Sequence, residues 1–241
     1  MDLLYDIRMA DPVALSIENR IARLVLQRPG GNALTGAMIA QLAALFARAA
    51  AEADVLVISS TEDDFSIGRD RQEPKGSGTP FDAFRTITET NAALGAFPGI
   101  VVSLVRGRAF GFSVGMVMRS DIAIAGDNAC FALDEVKLGI APMFIMSEIL
   151  EHLAPKAALD IIMTSREFGA EEAQRMGVVS RVVPATKLEA AGHELVSELA
   201  SRNPAVLRDS KRYLAAVRQL PLAARGAFAL AEQTKYATRQ H

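Results

Sequence analysis

An α/β fold with a helical C-terminal region is what this chain predicts, and three observations carry that reading. Short apolar runs, Val55-Leu56-Val57-Ile58, Ile100 to Val105 and Ile122 to Ala125, have the length and composition of buried strands. Segments with apolar residues at helical spacing separate them. Beyond about Ser147 the pattern is almost wholly helical. The 241 residues suffice for one sizeable core.

Taken in order, Val13 to Glu18 and Ile21 to Leu26 alternate around Asn19-Arg20, which reads as a hairpin. Pro29-Gly30-Gly31-Asn32 is a loop, and Thr35 caps a helix running to about Ala53. A strand follows from Val55 to Ser59. Glu73 to Pro80 is rich in turn formers and reads as a mobile surface loop. The next helix spans about Phe81 to Ala96 and stops at Pro98-Gly99. Then come the strand to Val105, a glycine-rich loop, a short helix and a strand from Asp121. Ser147 to Leu153, Pro155 to Thr164 and Glu171 to Met176 read as helices, the last closed by Gly177. Val178 to Val183 is a strand ending at Pro184. Helices follow over Lys187 to Ser201, from Asn203-Pro204 to Val217, and from Pro221 to about Arg239.

Composition narrows the function. Half the residues are apolar and 22% are charged, the mixture of a soluble globular protein. A net charge of −2 argues against a nucleic-acid or membrane-surface partner. Cys130 is the single cysteine, so no internal disulfide forms, and a reducing, cytoplasmic setting is expected. Met1 to Asp11 lacks the apolar core of a signal peptide. The histidines, His152, His193 and His241, show no metal-ligand spacing, so no metal is expected.

The chemistry concentrates in two loops. Phe65-Ser66-Ile67-Gly68-Arg69-Asp70 follows one buried strand, and Arg106 to Gly115 follows the next. A strand, a tight loop and a helix leave backbone N–H groups free, and two such loops side by side can aim two donors at one oxygen. A third stretch, Phe131-Ala132-Leu133-Asp134-Glu135-Val136-Lys137-Leu138-Gly139-Ile140-Ala141-Pro142, follows the third strand.

With these three segments the chain resembles the crotonase superfamily, the enoyl-CoA hydratase/isomerase family. The first loop fits that family's phenylalanine, two small residues, glycine, any residue, aspartate. The second fits its glycine-rich loop, and Phe131 to Pro142 fits its aromatic, acidic, leucine-glycine, proline pattern. Order and spacing match from about Val13 to about Tyr236. The resemblance implies repeated β-β-α units wound into a spiral over 1–185. It implies C-terminal helices over 186–241 that make contacts between copies, giving a homotrimer or hexamer. Relatives often carry a further helix that supplies a basic residue to a neighbour's CoA, and this chain ends at His241 without it.

The resemblance also implies an acyl-CoA thioester as substrate, with CoA part of that substrate and no separate cofactor. Its two oxyanion donors map to Ile67 and Phe112, and its proton-transfer acid maps to Glu135, with Asp134 the alternative if the match shifts by one. The phenyl ring of Phe112, where the family has glycine, narrows the acyl pocket. CoA contacts map to Arg28, Ser66, Gly68, Arg69, Asp70 and Gly111. The family's hydratases carry another glutamate where this chain has Gly115. One carboxylate that carries a proton between two carbons favours isomerisation of an enoyl-CoA. Glu89 and Asp82 are alternative acids, though each also reads as a solvated helix residue. Met116, Met118, Met143 and Met146 read as acyl-pocket lining or as core. Hydration with another second acid stays open. So do decarboxylation, thioester hydrolysis, C–C cleavage and a non-catalytic CoA-ester-binding role.

Overall fold

A computed structural model describes residues 11–74 and 79–238. The expectations for Met1 to Asp11, for the tip of the Glu73 to Pro80 loop and for His241 lie wholly or largely outside the described residues.

The hairpin forms as expected, with β1 (Val13–Glu18) and β2 (Ile21–Leu26) antiparallel and Val13 opposite Leu26. Asn19 and Arg20 both take positive φ, 49° and 61°, the backbone twist a two-residue hairpin turn requires. In β2 the residues alternate, so Ala22, Leu24 and Leu26 are fully buried. Helix α1 (Gly36–Glu52) starts where Thr35 accepts a hydrogen bond from the Met38 N–H. Its buried stripe is Met38, Ile39, Leu42, Phe46 and Ala49, the 3–4 spacing of an amphipathic helix. β3 (Val55–Ser60) then pairs parallel with β2. Helix α2 (Pro80–Gly95) packs against α1 and opens on a capping box between Thr79 and Asp82.

β4 (Ile100–Val105) and β6 (Ile122–Gly126) extend the parallel sheet. Between them lie a short strand, β5 (Arg108–Phe110), and helix α3 (Phe112–Arg119). β7 (Cys130–Ala132) joins β5 and β8 (Phe168–Gly169) in a second, three-stranded sheet that the sequence patterns did not signal. Strands of two or three residues carry too few side chains to show a period.

The segment expected as a helix over Ser147 to Leu153 is broken. Helix α4 covers only Met143–Met146, and a single 3₁₀ turn spans Ile149–Glu151. Helices α5 (Pro155–Thr164) and α6 (Ala170–Met176) follow, and Gly177 closes α6 at φ 88°. β9 (Arg181–Val183) is shorter than expected and ends the six-stranded sheet, ordered β1-β2-β3-β4-β6-β9.

Both faces of this sheet are covered. Leu24, Leu26, Leu56, Ile58, Val101 and Val105 face α1 and α2. Val55, Val57, Val102, Leu104 and Ile124 face helix α7 (Leu188–Ala200) through Leu188, Leu195 and Val196. The first helix of the C-terminal region is therefore part of the core. Helix α8 (Pro204–Val217) is held by polar contacts instead. Lys211 donates to the Phe97 and Gly99 carbonyls, both at 2.9 Å, and to Asp121 at 2.8 Å. These contacts sit at the N-terminal ends of the strands, which leaves the C-terminal ends, where ligands of parallel sheets bind, to the two loops. Helix α9 (Leu222–Thr238) and α8 bury no residue within one chain, and Leu214, Leu222 and Leu230 stand exposed.

Gly192 of α7 lies against the sheet so closely that a Cβ there would come within 2.5 Å of the Leu104 side chain. Gly192→Ala should lower unfolding free energy by about 1–3 kcal/mol, read from the urea midpoint at constant m.

Candidate active site

The two loops are built as one unit. The Phe65 N–H donates to the Arg106 carbonyl (2.8 Å), Ser66 N–H to Arg108 (3.0 Å) and Phe110 N–H to Ser66 (3.0 Å). Gly68 at φ +82° lies so near the second loop that a Cβ would sit 2.7 Å from the Phe110 carbonyl oxygen and 3.8 Å from Gly111 Cα. Gly111, at φ +53°, donates to the Ala132 carbonyl at 2.8 Å and starts α3. Only glycine combines this backbone conformation with such an approach. The Ser113 hydroxyl adds a 2.8 Å bond to the Ser66 carbonyl.

Asn32 organises the base of the first loop. It is fully buried, sits in the left-handed region at φ 53°, and its amide donates to Ser60 Oγ and to the Asp64 and Phe65 carbonyls. Its Oδ1 accepts the Arg28 N–H at 2.7 Å. The sequence pointed only to a Pro-Gly-Gly-Asn loop. Asparagine's tolerance of positive φ was the available signal, and its four partners, three of them some thirty residues away, were not visible there.

The donors divide clearly. The Ile67 N–H, expected as the first oxyanion donor, bonds to the Gly31 carbonyl at 2.9 Å, so it is not available to a ligand. Gly68 N–H bonds to Ser66 Oγ and Asp70 N–H to the Leu34 carbonyl. Among the described residues the Arg69 N–H has no acceptor. The Phe112 N–H, the first of α3, likewise has none and lies at the positive end of the helix. Arg69 and Phe112 each directly follow one of the two glycines in close approach. The Phe112 ring is half-buried against the core.

Glu135 comes from the turn after β7. Its Oε1 lies 2.9 Å from the position a Cβ on Gly111 would take, beside the start of α3. Its Oε2 is buried with no hydrogen-bond partner. Burial pushes its carboxyl above the usual glutamate range. Its own backbone N–H and Arg71 act in the opposite direction, and the adjacent Asp134 charge adds to the rise. Asp134 Oδ1 lies 3.7 Å from the same point over Gly111, and Arg71 pairs with Asp134. A carboxyl group with one buried, unpartnered oxygen beside a free N–H has what a general acid/base next to an oxyanion needs.

Other expected residues are distributed differently. Arg28 and Asp70 pair with each other at 2.7 Å, and Arg28 also donates to the Ala33 carbonyl. Ser66 is fully buried, its hydroxyl donating to the Asn32 carbonyl. These three hold the loops in shape, while Arg69 is exposed. Asp82 caps α2, and Glu89 is exposed with Arg85 as its ion-pair partner. Met116 and Met118 are core residues, whereas Met143 and Met146 are exposed on α4. Cys130 donates to Glu167 at 3.3 Å, and burial pushes its thiol up to about 11, so it is not a ready nucleophile.

At Gly115 no carboxylate appears. A Cβ there would meet the Arg119 guanidinium at 2.7 Å, and Arg119 pairs with Glu148. A cleft of about 580 Å³ between α8 and α9, lined by Tyr213, Glu232 and Tyr236, contains none of the loop residues. Among the described residues no group of three or more His, Cys, Asp or Glu is placed to hold a metal, and no helix is long and apolar enough to cross a membrane.

A model of the enoyl-CoA hydratase/isomerase family matches residues 16–241. Over 227 residues the chain is 26% identical to carnitinyl-CoA dehydratase of Proteus mirabilis, covering 89% of this chain and 84% of the relative. The enoyl-CoA hydratase of Mycobacterium smegmatis superposes with a TM-score of 0.87 at 22% identity, covering 94% of this chain and 91% of the other. A Thermobifida fusca protein assigned as an enoyl-CoA hydratase, solved in complex with CoA, gives 0.83 at 27% identity, with 95% and 94% covered.

Two outcomes follow from this geometry. Gly68→Ala should cost about 1–3 kcal/mol in denaturant unfolding, because the left-handed conformation is strained and the two loops must part. Glu135→Gln should raise the melting temperature at pH 7. The native carboxyl titrates above the ordinary value of 4.5, so its stabilising contribution is complete below that value and is lost as pH rises through the native one. The gap between variant and parent should close in scans below about pH 4.

Proposed function

The chain belongs to the enoyl-CoA hydratase/isomerase family, and on that premise we propose that it moves a proton at the α carbon of a bound acyl-CoA thioester, with Glu135 as acid/base. The observation that carries this reading is the buried, partnerless Oε2 of Glu135 over Gly111, next to the free Phe112 N–H. The thioester oxygen sits between the N–H groups of Phe112 and Arg69, which take the charge that develops on enolisation. Arg69 thus replaces Ile67 as first donor.

The absence of a carboxylate at Gly115 supports double-bond isomerisation. Glu135 removes a proton from C2 of a 3-enoyl-CoA, the dienolate is held by the two donors, and the same carboxyl returns the proton at C4. The product is the 2-enoyl-CoA, and no atom is gained or lost. A second reading, reversible loss of water from a 3-hydroxyacyl-CoA, is favoured by Asp134, which shares the Gly111 position with Glu135. It is also favoured by the dehydratase name of the Proteus relative. The exposed leucines of α8 and α9 support contacts between copies, as in the trimer implied by the resemblance.

NMR of a 3-enoyl-CoA in D2O tests the reaction. The double bond should move to C2–C3 with exchange at C2 and C4, and Glu135→Gln should slow this by about 10²–10⁴-fold. Water addition to a 2-enoyl-CoA without double-bond migration would select the second reading. No change with either substrate would overturn both.

A further inference from the structure

Arg119 is the charged group at this site that the proposed chemistry does not use. Its side chain is only 10% exposed. Glu148 accepts from one terminal nitrogen, Nη2, and among the described residues Nε and Nη1 have no acceptor. Nη1 is the atom that lies 2.7 Å from a Cβ position on Gly115. Burial disfavours the charged form of Arg119, and Glu148 counteracts this. Burial likewise pushes the Glu148 carboxyl upward. A guanidinium has five N–H donors, and the nitrogens of Arg119 that Glu148 does not engage keep contact with solvent, so they can take an anion that enters there.

The location is informative. Gly111 is the N-cap of α3 and Gly115 lies four residues on, in the first turn of that helix. Glu135 covers the first glycine and the Arg119 guanidinium covers the second. Arg119, four residues further on, reaches back toward the helix N-terminus, as long helical side chains do. With a Cβ at residue 115 the end of the Arg119 side chain would have to shift away from this position. Ile145 closes the same space from α4, its Cδ1 3.6 Å from that Cβ position. From the Phe112 N–H along α3 the order is therefore the Glu135 carboxyl, then the Arg119 guanidinium. One helical turn, about 5–6 Å, separates the last two, which matches a few bonds of an acyl chain.

We propose that Arg119 binds an anionic group at the far end of the acyl chain, so that the substrate class is a short-chain acyl-CoA ending in a carboxylate, of about four to six carbons. This rests on the reading of the site as one for acyl-CoA thioesters. Glu148 holds the guanidinium in place when the site is empty and competes with the incoming carboxylate for it. A purely structural ion pair would leave Arg119 indifferent to the end of the chain.

Calorimetric titration of the full chain with glutaryl-CoA and pentanoyl-CoA separates these cases. The two ligands share length and thioester, differ in the terminal carboxylate, and are saturated. Glutaryl-CoA should bind about 10- to 100-fold more tightly than pentanoyl-CoA, the range for charge-assisted hydrogen bonds. Arg119→Met should abolish that ratio while pentanoyl-CoA affinity holds. Glu148→Gln should increase the ratio, because it removes the competing charge, and it keeps the test decisive if Arg119→Met does not fold. Equal affinity for the two ligands, or a ratio unchanged in Glu148→Gln, would overturn the proposal and leave the acyl-CoA reading intact. Failure of both ligands to bind would overturn the acyl-CoA reading as well.

Discussion

Everything at this site depends on how closely two backbone segments approach. Gly68 and Gly111 come from loops that follow different strands, both have positive φ, and a side chain at Gly68 would strike the Phe110 carbonyl of the other loop. Arg69 and Phe112 are each the residue just past one of these glycines, and each has a free N–H among the described residues. Asn32 fixes one loop from beneath, and the Gly111 bond to Ala132 fixes the other to the strand that leads to Glu135. In the proposed reading, oxyanion binding is thus a property of backbone placement, which a phenylalanine side chain at residue 112 does not remove. The side chain changes the pocket but not the donor.

The site stores free energy against the fold. Glu135 has a buried oxygen without a partner, and burial of a carboxyl in that state destabilises the ionised form. The rest of the core is conventional, with alternating strand residues on one face packed by α1 and α2 and on the other by α7. A well-packed scaffold can hold one strained group because many apolar contacts outweigh it. Arg119 differs, since Glu148 pairs with it and its other nitrogens are not buried from solvent. Two side chains of opposite sign, Glu135 and Arg119, therefore lie along α3 over Gly111 and Gly115.

How much was legible beforehand differs by element. The hairpin, the Thr35 cap, α1, α2, β3, β4 and the C-terminal helices follow from local pattern and turn chemistry, and their observed bounds agree within a few residues. The motif singles out Glu135, and the fold buries one of its carboxyl oxygens without a partner. The second sheet escaped because its strands are two or three residues long, and the expected helix over Ser147 to Leu153 broke into shorter turns. Ile67 was assigned a free N–H because the loop pattern gives only which residues are near the glycine. Its actual partner, Gly31, lies more than thirty residues back in the chain.

The sequence by itself determined the α/β class, the order of elements and the family resemblance, and it pointed to Glu135 as the proposed acid/base, since periodicity, capping and short motifs are local. Tertiary structure alone decided which N–H groups are free, that Arg28 and Asp70 satisfy each other, and that the space over Gly115 belongs to Arg119. The physical reason is that hydrogen-bond saturation and burial are set by residues distant in the chain, which no local pattern encodes.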